Sequence, residues 1–273
     1  MPALLALAAA CTFGVADFLG GLATRKAAVV AVTLTTNVAG AVLALVLVWM
    51  IDGAWTAQAV VWGAISGVAG LFGLVLLYQG LADGPNRLVS PLSAVIAAAV
   101  PVAAGVSLGD RPNALAVVGL CIAPIAIWLV AGGDLKMLGS SKRPLAFGVG
   151  AGLGFGTFFV LLAQTPDDAG AVPLLAARLT SVAILIVAAM ILRPGKPAPS
   201  VLPIAVVGGA LDMTANGLFL WSTLDGELAV VGALVSLYPA TTVLLAVAFF
   251  GERLDRKQVA GLALAVATAA LLS

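Results

Sequence analysis

Histidine is absent from this 273-residue sequence, and charge is scarce, at 9% of residues. The missing histidine removes the commonest general base, proton shuttle and metal ligand at once, so neither a metal centre nor a cofactor is implied. A soluble domain of this length carries about 25% charged residues. With far fewer, this chain cannot cover a globule with polar surface, and its solvent must be lipid. The formal net charge is only +1, from 13 Lys and Arg against 12 Asp and Glu, which argues against nucleic acid as a partner. There are two cysteines, Cys11 and Cys121, both in apolar runs, where they read as reduced packing residues rather than a disulfide. No phosphate-binding loop is present: Arg193-Pro194-Gly195-Lys196-Pro197 has the wrong spacing and falls in a linker, so ATP-driven pumping is not expected.

What the chain has in abundance is apolar sequence, 62% of residues, with a mean hydropathy of +1.18. A membrane span needs about 20 apolar residues. Cutting at charge and turn clusters predicts ten helical spans, at 2–22, 27–51, 58–81, 88–108, 114–132, 144–164, 171–192, 202–222, 228–250 and 258–272. The first run lacks a positively charged start and is followed by more of its kind, so it is a first span and not a signal peptide. The fold class is all-α integral membrane.

The two halves match at an offset of 142. Phe13-Gly14 falls on Phe155-Gly156, Asp83-Gly84 on Asp225-Gly226, Gly109-Asp110-Arg111 on Gly251-Glu252-Arg253, and Gly119 on Gly261. Each half, 1–137 and 138–273, holds five spans, an odd number, so the second copy enters the membrane upside down within one bundle. Arg25-Lys26 align with Asp167-Asp168, the same connection with opposite sign. The connections after odd-numbered spans carry Arg25, Lys26, Arg87, Lys136, Lys142, Arg143, Arg193, Lys196, Arg253, Arg256 and Lys257; the other face carries only Arg111. Basic loops stay in the cytoplasm. The expectation is a multi-pass protein of the cell inner (plasma) membrane with both termini outside. An inverted repeat is the signature of a secondary transporter whose substrate site lies near the midplane between the halves.

Ala233-Leu234-Val235-Ser236-Leu237-Tyr238-Pro239, followed by Phe249-Phe250-Gly251-Glu252-Arg253, Gln258 and Gly261, resembles the EamA-like family of the drug/metabolite transporter superfamily. Ser90-Pro91-Leu92, Pro101 and Gly109-Asp110-Arg111 of the first half are similar, and Ala176-Ala177-Arg178 resembles the family's basic residue early in the second span of a repeat. The first half departs there, with Thr36 at the matching position, and has Asp110 where the family has Glu. The resemblance implies a ten-helix bundle with alternating access, often exporting metabolites in exchange for protons.

An ionisable group at the centre of a span costs about 2.5–3.5 kcal/mol on insertion scales, so such residues mark sites. Asp17 lies roughly 7–8 Å cytoplasmic of the middle of the first span, at about 1.5 Å per residue. Facing a cavity, its carboxylate could exchange a proton for a substrate; the plainer alternative is an interface residue paired with Arg25 or Lys26. Arg178 and Asp212 are placed to form a buried pair, with Asn216 on the same helix face as Asp212. That pair is either a structural lock or part of a substrate site. Thr33, Thr36, Asn37 and Gly40 form a polar strip on the second span, suited to interhelical hydrogen bonds. Tyr238 is central in the ninth span beside Pro239, which frees a carbonyl one turn earlier. Tyr78, Phe158 and Trp221 are candidates for an aromatic pocket, whereas Trp49, Trp55 and Trp62 read as interface belt residues. Glycines at four-residue spacing, Gly148, Gly152 and Gly156, Gly150 and Gly154, and Gly63 and Gly67, allow close helix approach.

The leading expectation is a proton-coupled exporter of a small organic solute, an amino-acid-like metabolite or a drug. Arg178 favours an acid and Asp17 with Asp212 an amine, so a zwitterion satisfies both. The alternative is an importer or uncoupled facilitator of the same solutes. A lipid-modifying enzyme would need catalytic residues clustered at one interface, and a purely structural protein fits poorly with charges in three spans.

Overall fold

In lipid no water is available to backbone amides, so apolar segments of this length satisfy their own N–H and C=O groups as helices. The computed structural model describes residues 1–83, 86–133, 142–195, 197–251 and 253–273, with the side chains of Tyr78 and of residues 81–83, 86 and 87 outside the described residues. Lys136, Lys196 and Glu252, used in the sequence comparison, also lie outside them. The helices are α1 (Pro2–Thr24), α2 (Val29–Met50), α3 (Ala57–Asp83), α4 (Asn86–Leu108), α5 (Ala114–Val130), α6 (Lys142–Leu162), α7 (Val172–Leu192), α8 (Leu202–Asp225), α9 (Leu228–Val235), α10 (Pro239–Phe250) and α11 (Arg256–Leu272). No strand occurs among the described residues. Among the described residues eight segments are long and apolar enough to cross a membrane, with Leu228–Phe250 taken as one, and Ala114–Val130 is a shorter apolar helix.

Helix ends follow local chemistry. Asn113 caps α5, its side chain accepting from the Ala116 N–H at 2.9 Å. Asp255 and Gln258 form a capping box on α11, each side chain accepting from the other's backbone N–H. Such caps contribute about 1 kcal/mol each. Gly251 ends α10 at φ 65°, a conformation glycine adopts without a Cβ penalty.

The ninth span is broken where sequence reading drew one helix. Pro239 has no N–H, and the chain tightens through Ser236–Tyr238 before α10 begins. The Val235 carbonyl, which a residue other than proline would have reached from position 239, instead accepts from the Tyr238 N–H at 3.2 Å. The carbonyl that proline frees is therefore satisfied within the turn.

Packing crosses between the halves. α3 packs on α6 and α7, α1 on α8, α9 and α10, α4 on α6 and α9, α2 on α7 and α8, and α5 on α11. Exchanging first-half helices for their second-half counterparts turns this set of pairings into itself. Small residues permit the close crossings. Gly148, Gly152 and Gly156 lie against Leu92, Ile96 and Val100 of α4, while Gly150 and Gly154 face Leu76 and Gly73 of α3. Gly63 and Gly67 meet the backbone of Pro173 and Ala177 on α7. Cys11 and Cys121 are free but exposed, on the outer surface and not in packing contacts as expected. Their helices bury mostly alanine and glycine, with Phe13 on α1 and Ile127 and Val130 on α5. Trp49 and Trp55 project from the ends of α2 and α3.

One end of the bundle is tied across the halves. The Ala54 N–H donates to the Asp168 carbonyl at 2.9 Å, joining the α2–α3 connection to that between α6 and α7. Asp110 Oδ2 accepts from the Ala229 N–H at 2.8 Å and Glu227 Oε1 from the Arg111 N–H at 3.1 Å, joining the α4–α5 connection to the start of α9. These connections belong to the face poor in basic residues.

Candidate functional site

A cavity of about 380 Å³ lies between the halves. Its wall takes Asp17 and Phe13 from α1, Thr36 and Asn37 from α2, Phe155, Phe158 and Phe159 from α6, Arg178 and Ser181 from α7, Asp212 and Asn216 from α8, and Tyr238 and Thr242 from the α9–α10 break. Gly20, Gly21, Leu77, Ser90 and Ala131 also line it, and they lie near the helix ends that carry the basic connections. The cavity thus extends toward that face, opposite the end tied by Asp110 and Glu227.

Arg178 is the centre of the polar wall. One guanidinium nitrogen, Nη2, pairs with Asp212 Oδ2, and the other, Nη1, donates to Asn37 Oδ1 at 3.2 Å. The guanidinium has room because α2 has glycine at position 40: a Cβ there would stand 3.2 Å from Arg178 Nε and 3.4 Å from the Gly209 carbonyl. Asn216 donates through Nδ2 to the Asp212 carbonyl at 2.7 Å and to Asp212 Oδ2 at 3.3 Å. That leaves its buried Oδ1 without a hydrogen-bond partner among the described residues. The polar strip on α2 has a specific partner: Asn37 donates back to the Thr33 carbonyl at 2.9 Å and accepts from Arg178.

Asp17 stands apart from this network. Its exposure is to the cavity it lines. Among the described residues it makes no hydrogen bond or ion pair, and it shares the cavity wall with Asp212 and Tyr238. Arg25 is not its partner; that guanidinium sits over the Phe250 ring, 5.5 Å from the centroid. Asp17 is brought to the cavity by the crossing of α1 and α10. Gly14 admits the Tyr238 carbonyl and Thr241 against α1, and Thr242 Oγ1 donates to the Gly14 carbonyl at 3.1 Å.

Of the residues singled out in the sequence, Asp17, Asn37, Phe158, Arg178, Asp212, Asn216 and Tyr238 meet in this cavity. Trp221 does not line it; it is half-buried farther along α8. Tyr78 lies outside the described residues. Sequence reading missed Phe13, Phe159 and Ser181. Phe159 stacks among Phe13, Phe158 and Phe219, with centroid separations of 6.1, 5.4 and 4.6 Å. The alignment of Phe13 with Phe155 across the repeat was the available signal, since both line the cavity.

No curated protein matches this sequence. A solved structure described only as a crystal structure of a protein superposes with a TM-score of 0.72 at 18% identity, covering 97% of this chain and 95% of its own. That likeness shows a shared fold. The model of the EamA-like transporter family matches residues 1–132 and 142–273, which is nearly the whole sequence. An all-helical chain rich in apolar spans, with a lined cavity between halves that match the same family, belongs to the EamA-like transporter family.

Proposed function

We propose that this chain is a ten-span secondary transporter built of two inverted halves, and that it exports a small organic solute by alternating access in exchange for protons. The observation that carries the reading is a carboxyl group, Asp17, that has no hydrogen-bond or ion-pair partner among the described residues and faces a cavity lined from both halves. A transport site must load and release cargo, and a group already held by a fixed partner cannot do so. In this reading the basic connections are cytoplasmic. The cavity then faces the cytoplasm, and the ties at Asp110 and Glu227 hold the outer end shut. Asp17 alternates between proton and substrate, while the Arg178–Asp212–Asn37 network fixes α2, α7 and α8 around it.

Counterflow in proteoliposomes, with and without an imposed proton gradient, tests the coupling. Asp17→Asn keeps size and polarity but removes the titrating group. The variant is expected to insert normally, to lose accumulation against a gradient, and to retain exchange of substrate for substrate. Full gradient-driven transport by the variant would remove Asp17 from the coupling step. Orientation is tested by cysteines introduced beside Lys142 and Asp168: the first is expected to be protected and the second accessible to an impermeant reagent outside the cell. The reverse pattern would invert the assigned topology.

A further inference from the structure

The charge inventory of the cavity wall narrows the substrate class. Among the described residues its acidic side chains are Asp17 and Asp212, and its one positive side chain is Arg178. The positive one is committed. Both terminal nitrogens of Arg178 are engaged, by Asp212 and by Asn37, and its side chain is only 16% exposed. A carboxylate or phosphate seeking Arg178 would have to share its guanidinium with Asp212 while facing Asp17. No other cation lines the wall among the described residues. Asn216 spends its donor on Asp212 and leaves its Oδ1 acceptor buried and, among the described residues, unpartnered, at 3% residue exposure. Its amide is oriented by this contact, since the reverse orientation would set an oxygen against the Asp212 carbonyl and carboxylate. Thr36, Ser90, Ser181 and Thr242 add neutral hydroxyls, and the remaining lining is mostly apolar and aromatic, with Phe13, Phe155, Phe158, Phe159 and the Tyr238 ring around the volume.

A pocket with two carboxyl groups, aromatic faces and, among the described residues, no cation but the paired Arg178 suits one ligand chemistry. The carboxylate attracts a cation, the ring faces stabilise it within about 6 Å, and the apolar wall takes a hydrocarbon body. A volume of about 380 Å³ holds a small organic molecule. We infer that the cavity selects an organic ammonium, an amine with an aromatic or aliphatic body, whose charged nitrogen docks on Asp17, and that Arg178 does not serve as a receptor for an acid. The inference rests on the transport reading above and replaces the zwitterion that the unpaired charges of the sequence suggest.

Four phenyl compounds of similar size separate the alternatives: 2-phenylethylamine as the cation, phenylalanine as the zwitterion, 3-phenylpropionate as the anion and 2-phenylethanol as the neutral form. Binding to the purified full chain in lipid nanodiscs is measured by calorimetry. The amine is expected to bind at least tenfold tighter than the other three. Asp17→Asn should abolish that binding, Asp17→Glu should retain it, and Asp168→Asn, a carboxylate outside the cavity, should leave it unchanged. Equal or tighter binding of phenylalanine or phenylpropionate would overturn the inference. So would amine affinity that survives Asp17→Asn, or no amine binding at all. Counterflow of the same four compounds in proteoliposomes keeps the two readings separate. Movement of any of them upholds transport even if the amine preference fails. Tight amine binding with no movement of any compound upholds the preference and counts against transport.

Discussion

Arg178 and Asp212 stand on α7 and α8, which have little direct packing between them, so the ion pair and the bond to Asn37 join three helices that glycine spacing brings near. Removing one charge strands the other in a medium that solvates it poorly. Asp212 keeps 34% side-chain exposure to the cavity, so the loss on Arg178→Ala is expected at about 1–3 kcal/mol, below that of a fully enclosed pair. Asp212→Asn should lose less, because Asn216 can still donate to its carbonyl. The double change Arg178→Gln with Asp212→Asn should be more stable than Arg178→Ala, and thermal unfolding in detergent checks this. Additive losses across the cycle would show that the pair contributes no coupling. The pair was legible in the sequence because a charge in a span must find a partner. Asn37 as a third member was not, since nothing in the second span says which of its neighbours brings a donor.

Helices in this bundle approach where side chains are missing. A Cβ at Gly67 would strike the Ala177 carbonyl of α7, and backbone cannot swing aside as a long side chain can. Gly67→Val is therefore expected to destabilise by about 3 kcal/mol. Gly21, whose Cβ would meet nothing, should gain up to about 1 kcal/mol as Gly21→Ala from helix propensity alone. Comparison of the two melting temperatures against the parent tests whether crossing distance, and not glycine content, sets stability. At the tied end, Asp110→Ala removes the acceptor that holds the Ala229 N–H. An introduced cysteine at Leu174, near that end of α7, should then react faster with a reagent supplied from the face where that end lies. Unchanged reactivity would mean that the remaining ties suffice. Helix positions were readable because apolar runs are bounded by charge, whereas the break between α9 and α10 was drawn as one helix although Pro239 marks it. A proline in a span is tolerated with or without a break, as α4 shows by running unbroken through Pro91 and Pro101.

The molecule as a whole is an exchange of helices between its halves. Sequence reading found the halves by their offset, but it could not tell which side of each span faces inward. In lipid both the packed side and the outer side of a helix are apolar, so periodicity carries little of that information, and Trp221 was assigned to a pocket it does not line. The pairings decide it: α1 rests on α8, α3 on α6 and α7, and α5 on α11, so most of what each half buries is supplied by the other. Residues 1–133 expressed alone would keep their helices, which need only their own backbone bonds, yet leave Gly63, Gly67 and Gly73 without the α6 and α7 surfaces that fill them. Residues 1–133 are accordingly expected to give an aggregation-prone, protease-sensitive product in detergent, while co-expression with residues 142–273 should yield a single protease-resistant complex. Size-exclusion chromatography after limited proteolysis distinguishes these outcomes. A monodisperse, resistant first half on its own would show that the halves are independent folding units, and the helix exchange would then be an assembly of finished parts.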